Sequence, residues 1–458
     1  MSHTRTMRAR ALIRLASMAL ALGGPEASPA QAPEHTLARA EQRAAPGTAR
    51  DGGDALTLGA LYARVDRGTP RVVAARLIAD AATARIPGAR RPPDPQFQFG
   101  LMNYRLPALA PMPVLGMQQL QLMQVLPVAG KLRLSGRVAE ALALSARARA
   151  VEVRWEQRSR VAMAFYDLYQ ADRAVSIAND TKRLVQDIAA TAQSMYAVGE
   201  GRQPDVLRAR VEVARMSEEV IRRSAMRAAM AARLRGLLDD PIDTAMVTAA
   251  LPRLPEALPA LDTLLREAES NRAMIRAGES DLAAATDAER LARREIWPDL
   301  QVGVQYGQQR GAMGTDRMGS LTVGASLPIF ARDRQLQTRT EAAAMRAMAR
   351  ADLSAMRAET RSRVAELYAE CLRARNLRAL YRTTILPQAE TAVASSLSAD
   401  RVGSVNLMTL LDNQMTVNRY RQELFVLDAE LGKAISELEM LTGRELFDAN
   451  TRASRGTE

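Results

Sequence analysis

The sequence predicts an α+β protein built from long paired helices and short strand pairs, and three observations indicate this fold class. Hydrophobic residues make up 47% of the chain, aromatic residues only 4% and charged residues 25%, which is typical of long packed helices. Long stretches lack proline and place apolar residues at intervals of three and four. Short stretches alternate polar and apolar residues, which favours strands.

The N-terminal 54 residues are predicted to lie outside the folded body. A short apolar stretch, Leu15 to Leu22, follows a basic start and precedes small residues around Ala30, which predicts an export signal over residues 1–32. No cysteine stands directly after this segment, so we expect no lipid anchor on the mature end. Residues 33–54 are predicted to form a flexible leader, and residues 446–458 a flexible tail.

An internal tandem duplication organises the remainder of the chain. Landmarks recur in the same order at offsets of 201 to 205 residues: Pro93-Asp94 and Pro298-Asp299, Leu126-Pro127-Val128 and Leu327-Pro328-Ile329, Val198-Gly199 and Val402-Gly403. Two repeats are therefore predicted, over residues 55–238 and 260–445, with a linker at 239–259.

Each repeat is predicted to begin with a helix and to end in two long helices. The long helices of the first repeat span 131–198 and 204–238, and those of the second span 333–402 and 406–442. A helix over 131–198 would be on the order of 100 Å long. Sustained spacing of three and four predicts coiled-coil packing along Leu410, Asn413, Val417, Tyr420, Leu424, Leu427, Leu431, Ala434, Leu438 and Leu441. The earlier copy runs along Leu207, Val211, Ala214, Ile221, Ala225 and Ala228, and Glu218 interrupts it.

A β-hairpin is predicted in front of the long helices of each repeat, over 95–127 and 298–329. Gln96-Phe97-Gln98-Phe99 and Gln301-Val302-Gly303-Val304 alternate polar and apolar side chains. Such alternation is typical of a transmembrane strand with lipid on one face and water on the other. A soluble, half-buried hairpin has the same pattern, so this observation alone leaves both interpretations open.

Strand number favours an oligomeric membrane protein. Four strands are too few to close a membrane barrel, and an open sheet edge cannot lie in hydrocarbon. A chain with four such strands must therefore oligomerise to span a membrane. A trimer would supply twelve strands, with the long helices continuing as a tube into the periplasm.

Enzymatic and metal-binding functions are disfavoured by the residue inventory. The chain has one cysteine, Cys371, and two histidines, His3 and His35, both near the N-terminus. No phosphate-binding glycine loop and no nucleophile–base arrangement is present, so we predict no catalytic residue, no metal ligand and no cofactor. The net charge of +12 reflects arginines scattered among acidic residues, which argues against a nucleic-acid partner. Cys371 continues an apolar stripe and is expected to be buried.

The turn motifs Val198-Gly199 to Leu207 and Val402-Gly403 to Gln414, together with Leu126-Pro127 and Leu327-Pro328, resemble the TolC family of outer-membrane efflux factors. The resemblance covers roughly residues 55–445. It implies a homotrimeric β-barrel in outer-membrane lipid, with four strands per protomer and twelve in total, continuous with a long periplasmic α-helical barrel. It also implies two protein partners, a periplasmic adaptor (a membrane fusion protein) and an inner-membrane RND transporter.

Within this family, Pro111-Met112-Pro113 and Pro127 to Leu132 resemble the heavy-metal subgroup of CzcC- and CusC-like channels. This implies a passive exit duct for heavy-metal cations. The alternatives are efflux of drugs or organic solutes, or the exit duct of type I secretion. A soluble periplasmic coiled-coil adaptor or scaffold is the alternative from another class, but it does not explain the alternating hairpins.

The resemblance also implies roles for particular residues. Asp412 would face the pore near the periplasmic tip, with Asp205 and Thr409 at related positions. Val198, Gly199, Val402 and Gly403 would form the helix-turn tips that contact the adaptor. Pro127 and Pro328 would mark the strand-to-helix junctions.

Overall fold

A computed structural model describes residues 56–105, 107, 110–112, 116–240, 251–252, 254–255, 257–311, 314–400 and 407–446. The predicted signal peptide and leader, residues 401–406 of the second tip, much of the linker and nearly all of the tail lie outside the described residues. Every described residue belongs to one compact unit, Asp54–Glu458.

The first half of the described chain contains helices, then strands, then two long helices. In order, its elements are α1 (Leu58–Gly68), α2 (Pro70–Ala89), β1 (Gln96–Met102), β2 (Tyr104–Arg105), β3 (Ala110–Pro111), β4 (Met117–Leu126), α3 (Lys131–Ala197) and α4 (Gln203–Leu238). The short β2–β3 pair was not predicted, and it extends the hairpin beyond the main sheet.

The second half follows the same order of elements. They are α5 (Leu261–Asn271), α6 (Ala273–Arg294), β5 (Leu300–Gly311), β6 (Gly314–Ala325), α7 (Gln335–Leu380), a π-helix (Tyr381–Ile385), α8 (Leu386–Asp400) and α9 (Leu407–Thr442). The segment predicted as one helix over 333–402 is thus interrupted by a π-helical turn just before Pro387. Proline lacks the N–H of a regular helical hydrogen bond, and the wider turn accommodates it.

Local chemistry accounts for several helix boundaries. The Ala60 N–H donates to Thr57 Oγ1 at 3.2 Å and so caps α1. Pro70 opens α2, where its missing N–H costs no helical hydrogen bond. At the end of β4, Ala129 and Gly130 adopt positive φ values of 59° and 74°, which redirects the chain from the sheet into α3.

The four longer strands form one antiparallel sheet in the order β1-β4-β5-β6. The pairing of β4 with β5 joins the two halves of the chain, with Leu126 opposite Leu300 and Leu122 opposite Val304. The sheet therefore ends in β1 on one side and β6 on the other, and each of these has one unpaired edge within the protomer.

Helix α3 is the centre of the helical packing. It contacts α1, α2, α4, α6 and α9, while α7 contacts α5, α6 and α9. One buried cluster surrounds Phe165, Tyr166 and Leu168 of α3, and a second surrounds Leu367 of α7 and Ile435 of α9. A Cβ on Gly432 would lie 2.2 Å from the Tyr166 ring, so glycine at this position permits the close approach of α9 and α3.

The predicted coiled-coil face is buried within the protomer in α9 and exposed in α4. Val417, Leu427, Leu431, Leu438 and Leu441 of α9 are buried, as the spacing predicts. In α4, however, the predicted face is exposed, including Leu207, Val211 and Ile221, and α4 instead buries Val206, Ala209, Met216, Ala231, Leu234 and Leu238. Helix α4 has apolar residues on two sides, so spacing could not indicate which side packs within the protomer.

None of the helices in the described part of the chain is both long enough and apolar enough to cross a membrane.

Candidate functional site

The four-stranded sheet separates apolar and polar side chains onto opposite faces. Antiparallel pairing places directly opposite residues on the same face. One row across the sheet contains Phe97, Leu122, Val304 and Leu321, and all four of these side chains are apolar. The neighbouring apolar row contains Phe99, Leu120 and Tyr306.

The opposite face carries uncharged polar side chains. Gln98, Gln121, Gln305 and Ser320 occupy one row across the four strands. Gln305 Nε2 donates to Gln119 Oε1 at 2.8 Å, which links neighbouring strands on this face. A glutamine-rich surface of this kind suits contact with water.

Neither face is covered by another element of the described chain. On the apolar face, Phe97 is 67% exposed, Leu321 71% and Val323 68%. A soluble hairpin would bury this face against a core, so its exposure argues against that alternative. A contiguous exposed apolar face indicates contact with lipid or with another molecule.

Pro127 lies between β4 and α3, Pro328 lies between β6 and α7, and both prolines are half-buried. The main polar contact at this end of the sheet was not predicted. Lys131, the first residue of α3, donates from Nζ to the Trp297 carbonyl at 2.8 Å and pairs with Asp299 Oδ1 at 2.7 Å. The sequence signal was present, because Lys131 follows Pro127 and Asp299 follows Pro298.

Gly199 forms the first helix-turn tip with φ of 80°. No atom lies within 4 Å of the position that its Cβ would occupy, so the need for glycine comes from backbone conformation and not from space. The Gly199 N–H donates to the Tyr196 carbonyl at 3.1 Å, and Val198 beside it is 72% exposed. Asp205 lies in the first turn of α4, where its side chain is exposed.

Only part of the second tip falls within the described residues. Val402 and Gly403 lie outside them, so their predicted roles stay predictions. Thr409 and Asp412 lie in the first turns of α9, and both are exposed. The structure therefore places Thr409 and Asp412 near each other on one helix, and it gives the Asp412 side chain no partner among the described residues.

A buried carboxylate in the helical region was missed by the sequence interpretation. Asp428 of α9 is 4% exposed and forms ion pairs with Arg378 of α7 and Arg382 of the π-helix. Burial raises the pKa of Asp428, and the two arginines oppose that rise. Its position between Leu427 and Ala429 on the heptad helix was the available signal.

Cys371 is fully buried beside Val364 and Leu367, as predicted. Burial raises the pKa of its thiol to about 12, so the group stays neutral and unreactive at physiological pH. Among the residues that the structure describes, no group of three or more His, Cys, Asp or Glu side chains could hold a metal ion.

Residues 264–444 match the family model described as outer membrane efflux protein. The match covers about two-fifths of the chain, and the likeness to this family is carried by that segment. None of the curated proteins matches the sequence.

Solved structures extend the likeness in fold to most of the chain. CusC, described for its folding and transmembrane channel formation, is 16% identical with a TM-score of 0.72, over 87% of this chain and 96% of CusC. A membrane protein from Pseudomonas aeruginosa is 18% identical with a TM-score of 0.73, over 85% and 90%. The open MtrE outer membrane channel of Neisseria gonorrhoeae is 15% identical with a TM-score of 0.68, over 86% and 91%.

The match to the efflux protein model agrees with two expectations from the sequence, a location in the outer membrane and a function that is not enzymatic. The matched segment covers α5 to α9 almost completely. The first half of the chain shares the fold of the solved structures.

Proposed function

We propose that this protein is the outer-membrane channel of a tripartite, RND-type efflux pump and acts as a passive exit duct. The observation that carries the proposal is the uncovered amphipathic sheet with two unpaired edges, β1 and β6. Three copies joined at these edges form a twelve-stranded β-barrel, with the apolar rows towards lipid and the glutamine-rich rows towards the lumen.

The long helices continue this duct as a periplasmic α-helical barrel. A tandem duplication, with repeats at 55–238 and 260–445, is supported by the shared order of elements in the two halves. The tips around Val198-Gly199 and Val402-Gly403 contact the helical hairpins of a periplasmic adaptor. Asp412, Asp205 and Thr409 lie near the periplasmic opening, where three copies of Asp412 form an acidic ring that attracts cations.

Heavy-metal cations are the proposed substrates. Support comes from the motifs Pro111-Met112-Pro113 and Pro127 to Leu132, and from the structural likeness to CusC. Other outer-membrane channels have TM-scores between 0.67 and 0.68, so fold similarity by itself separates substrates poorly. The inner-membrane pump supplies the energy and most of the substrate specificity.

The channel proposal is tested with the purified exported protein in detergent. We expect a mass of three protomers by light scattering, an SDS-resistant band that disappears on boiling, and conductance steps in planar bilayers. If the protein is instead a monomer or dimer that is soluble without detergent, the channel proposal is wrong and a periplasmic scaffold is favoured.

The substrate is tested separately in a strain that lacks the gene. We expect lower tolerance to copper, silver, cobalt or zinc, with restoration by the wild-type gene. Sensitivity to organic drugs alone would replace the heavy-metal assignment but would leave the channel assignment in place.

A further inference from the structure

A clamp of one lysine and one aspartate joins the two halves of the sheet within a protomer. Lys131 follows β4, Asp299 precedes β5, and their ion pair lies at the helical end of the sheet. Lys131 is only 12% exposed and Asp299 31% exposed, so the pair is partly shielded from water. The clamp therefore joins the segment that follows β4 to the segment that precedes β5, its neighbour in the sheet.

The sequence contains a second copy of this clamp, split between the two edges of the sheet. Leu126-Pro127-Val128 corresponds to Leu327-Pro328-Ile329, and the same offset of 201 carries Lys131 onto Arg332. Pro298-Asp299 corresponds to Pro93-Asp94, which carries Asp299 onto Asp94. Arg332 follows β6 and Asp94 precedes β1, so charge type and position relative to the strands are both repeated.

These two residues cannot pair inside one protomer. Strands β1 and β6 are separated by β4 and β5, so the sheet edges lie roughly 14 Å apart at about 4.8 Å per strand. Both side chains are exposed, and neither has a hydrogen bond or ion pair within the described residues.

We propose that Arg332 of one protomer pairs with Asp94 of the next, as Lys131 pairs with Asp299 inside each protomer. This rests on the proposed function, because it requires β6 of one copy to lie antiparallel to β1 of another. The offsets also set the register. They place Val323 opposite Phe99 of the second copy and Leu321 opposite Leu101, so apolar rows meet apolar rows around the whole ring.

Shape at the two edges supports the same contact. Beside β1, a groove of about 620 Å³ is lined by Pro92, Pro93, Pro127 and Leu132, among other residues. Beyond β6, Leu327 is 72% exposed, Ile329 81% and Phe330 72%. A second copy of this chain, docked through β6, brings its Leu327–Phe330 segment to this groove and covers the exposed apolar side chains of that segment.

Charge reversal tests the pair in the full-length exported protein. We expect Asp94→Arg and Arg332→Asp each to lower the temperature at which the trimer dissociates in mild SDS, because attraction becomes repulsion at three equivalent sites. The double variant restores the pair with opposite polarity and should recover most of the loss. Glu200→Arg, at the far end of α3, is the control and should leave the dissociation temperature unchanged.

Cross-linking tests proximity independently of stability. Asp94→Cys and Arg332→Cys in one chain, treated with a short bis-maleimide, should yield covalent dimers and trimers, while either single variant should not. Buried Cys371 contributes no background. A wild-type trimer whose single reversals have no effect, or whose cysteines fail to cross-link, overturns the pair and leaves the channel proposal intact. If the wild-type protein is a monomer, both the ion pair between protomers and the channel proposal are contradicted.

Discussion

At the residue scale, Asp412 has two possible roles, as an ordinary residue near a helix start and as a charge that faces the pore. An aspartate in the first turns of a helix is favourable wherever it occurs, because its charge interacts well with the helix dipole. Asp412 in addition is exposed and has no partner among the described residues, so its charge is available to the surroundings. Thr409, one turn earlier, is exposed as well and carries no charge.

Replacing Asp412 distinguishes the pore role from the helix-start role. We expect Asp412→Asn to lower the cation-to-anion permeability ratio by roughly two- to fivefold, the effect of about 0.5–1 kcal/mol from the three carboxylates together. The reversal potential in a potassium chloride gradient across a planar bilayer measures this ratio. Thr409→Asp adds a ring of charge and should raise it. An unchanged reversal potential in both variants would identify Asp412 as an ordinary helix-start residue.

Two helices at the element scale show what heptad spacing can and cannot predict. Helix α9 packs against α3 and α7 through the face that the spacing selects, and its ion pairs add to this contact, as in the bidentate Arg363–Glu437 pair at 2.7 and 2.9 Å. Helix α4 contacts α3 through a different face from the predicted one. Only a helix with a single apolar side has its orientation determined by spacing.

Ile435 of α9 is fully buried and belongs to the same cluster as Leu367 of α7. Its replacement tests the packing of these two helices. We expect Ile435→Ala to destabilise the helical region by about 2–5 kcal/mol, and Ile435→Val by about 0.5–1.5 kcal/mol, because the larger truncation leaves the larger cavity. Thermal unfolding followed by far-ultraviolet circular dichroism should therefore rank wild type above the valine variant and the valine variant above alanine. Equal midpoints for the two variants would contradict this packing.

At the scale of the whole molecule, several surfaces of one protomer are left without a partner. The β1 and β6 edges, the apolar face of the sheet and the exposed apolar stripe of α4 have no partner in the described chain. The amphipathic sheet meets lipid in the proposed channel, while its edges and the α4 stripe meet neighbouring copies. The exposed heptad on α4 is then a coiled-coil face used between protomers.

Val211, which is 67% exposed on this stripe, tests that assignment. We expect Val211→Asp to shift the protein from trimer to monomer in detergent while the helical circular dichroism signal is retained, because a charge is placed in an apolar contact. Ser224→Asp, on a different side of the same helix, adds the same charge and should keep the trimer. Light scattering distinguishes the two variants, and a trimeric Val211→Asp protein would remove the stripe from the interface.

Much of the secondary structure and part of the candidate site could be predicted from the sequence. Proline-free stretches predicted α3 and α9, alternation predicted the strands, and Gly199 was placed at a turn that requires positive φ. The Lys131–Asp299 pair was not predicted, because its residues are 168 positions apart and local spacing does not bring them together. The π-helix before Pro387 was also missed, because proline alone does not specify how a helix accommodates it.

The sequence by itself indicated local features that depend on neighbouring residues: the long helical stretches, the first tight turn and the strand alternation. Only the tertiary structure decided which apolar faces are used inside the protomer, that β4 and β5 join the two halves, and which strands remain as edges. These features depend on contacts between residues more than a hundred positions apart. Apolar spacing indicates that a face needs a partner, whereas the folded chain shows which faces are still without one.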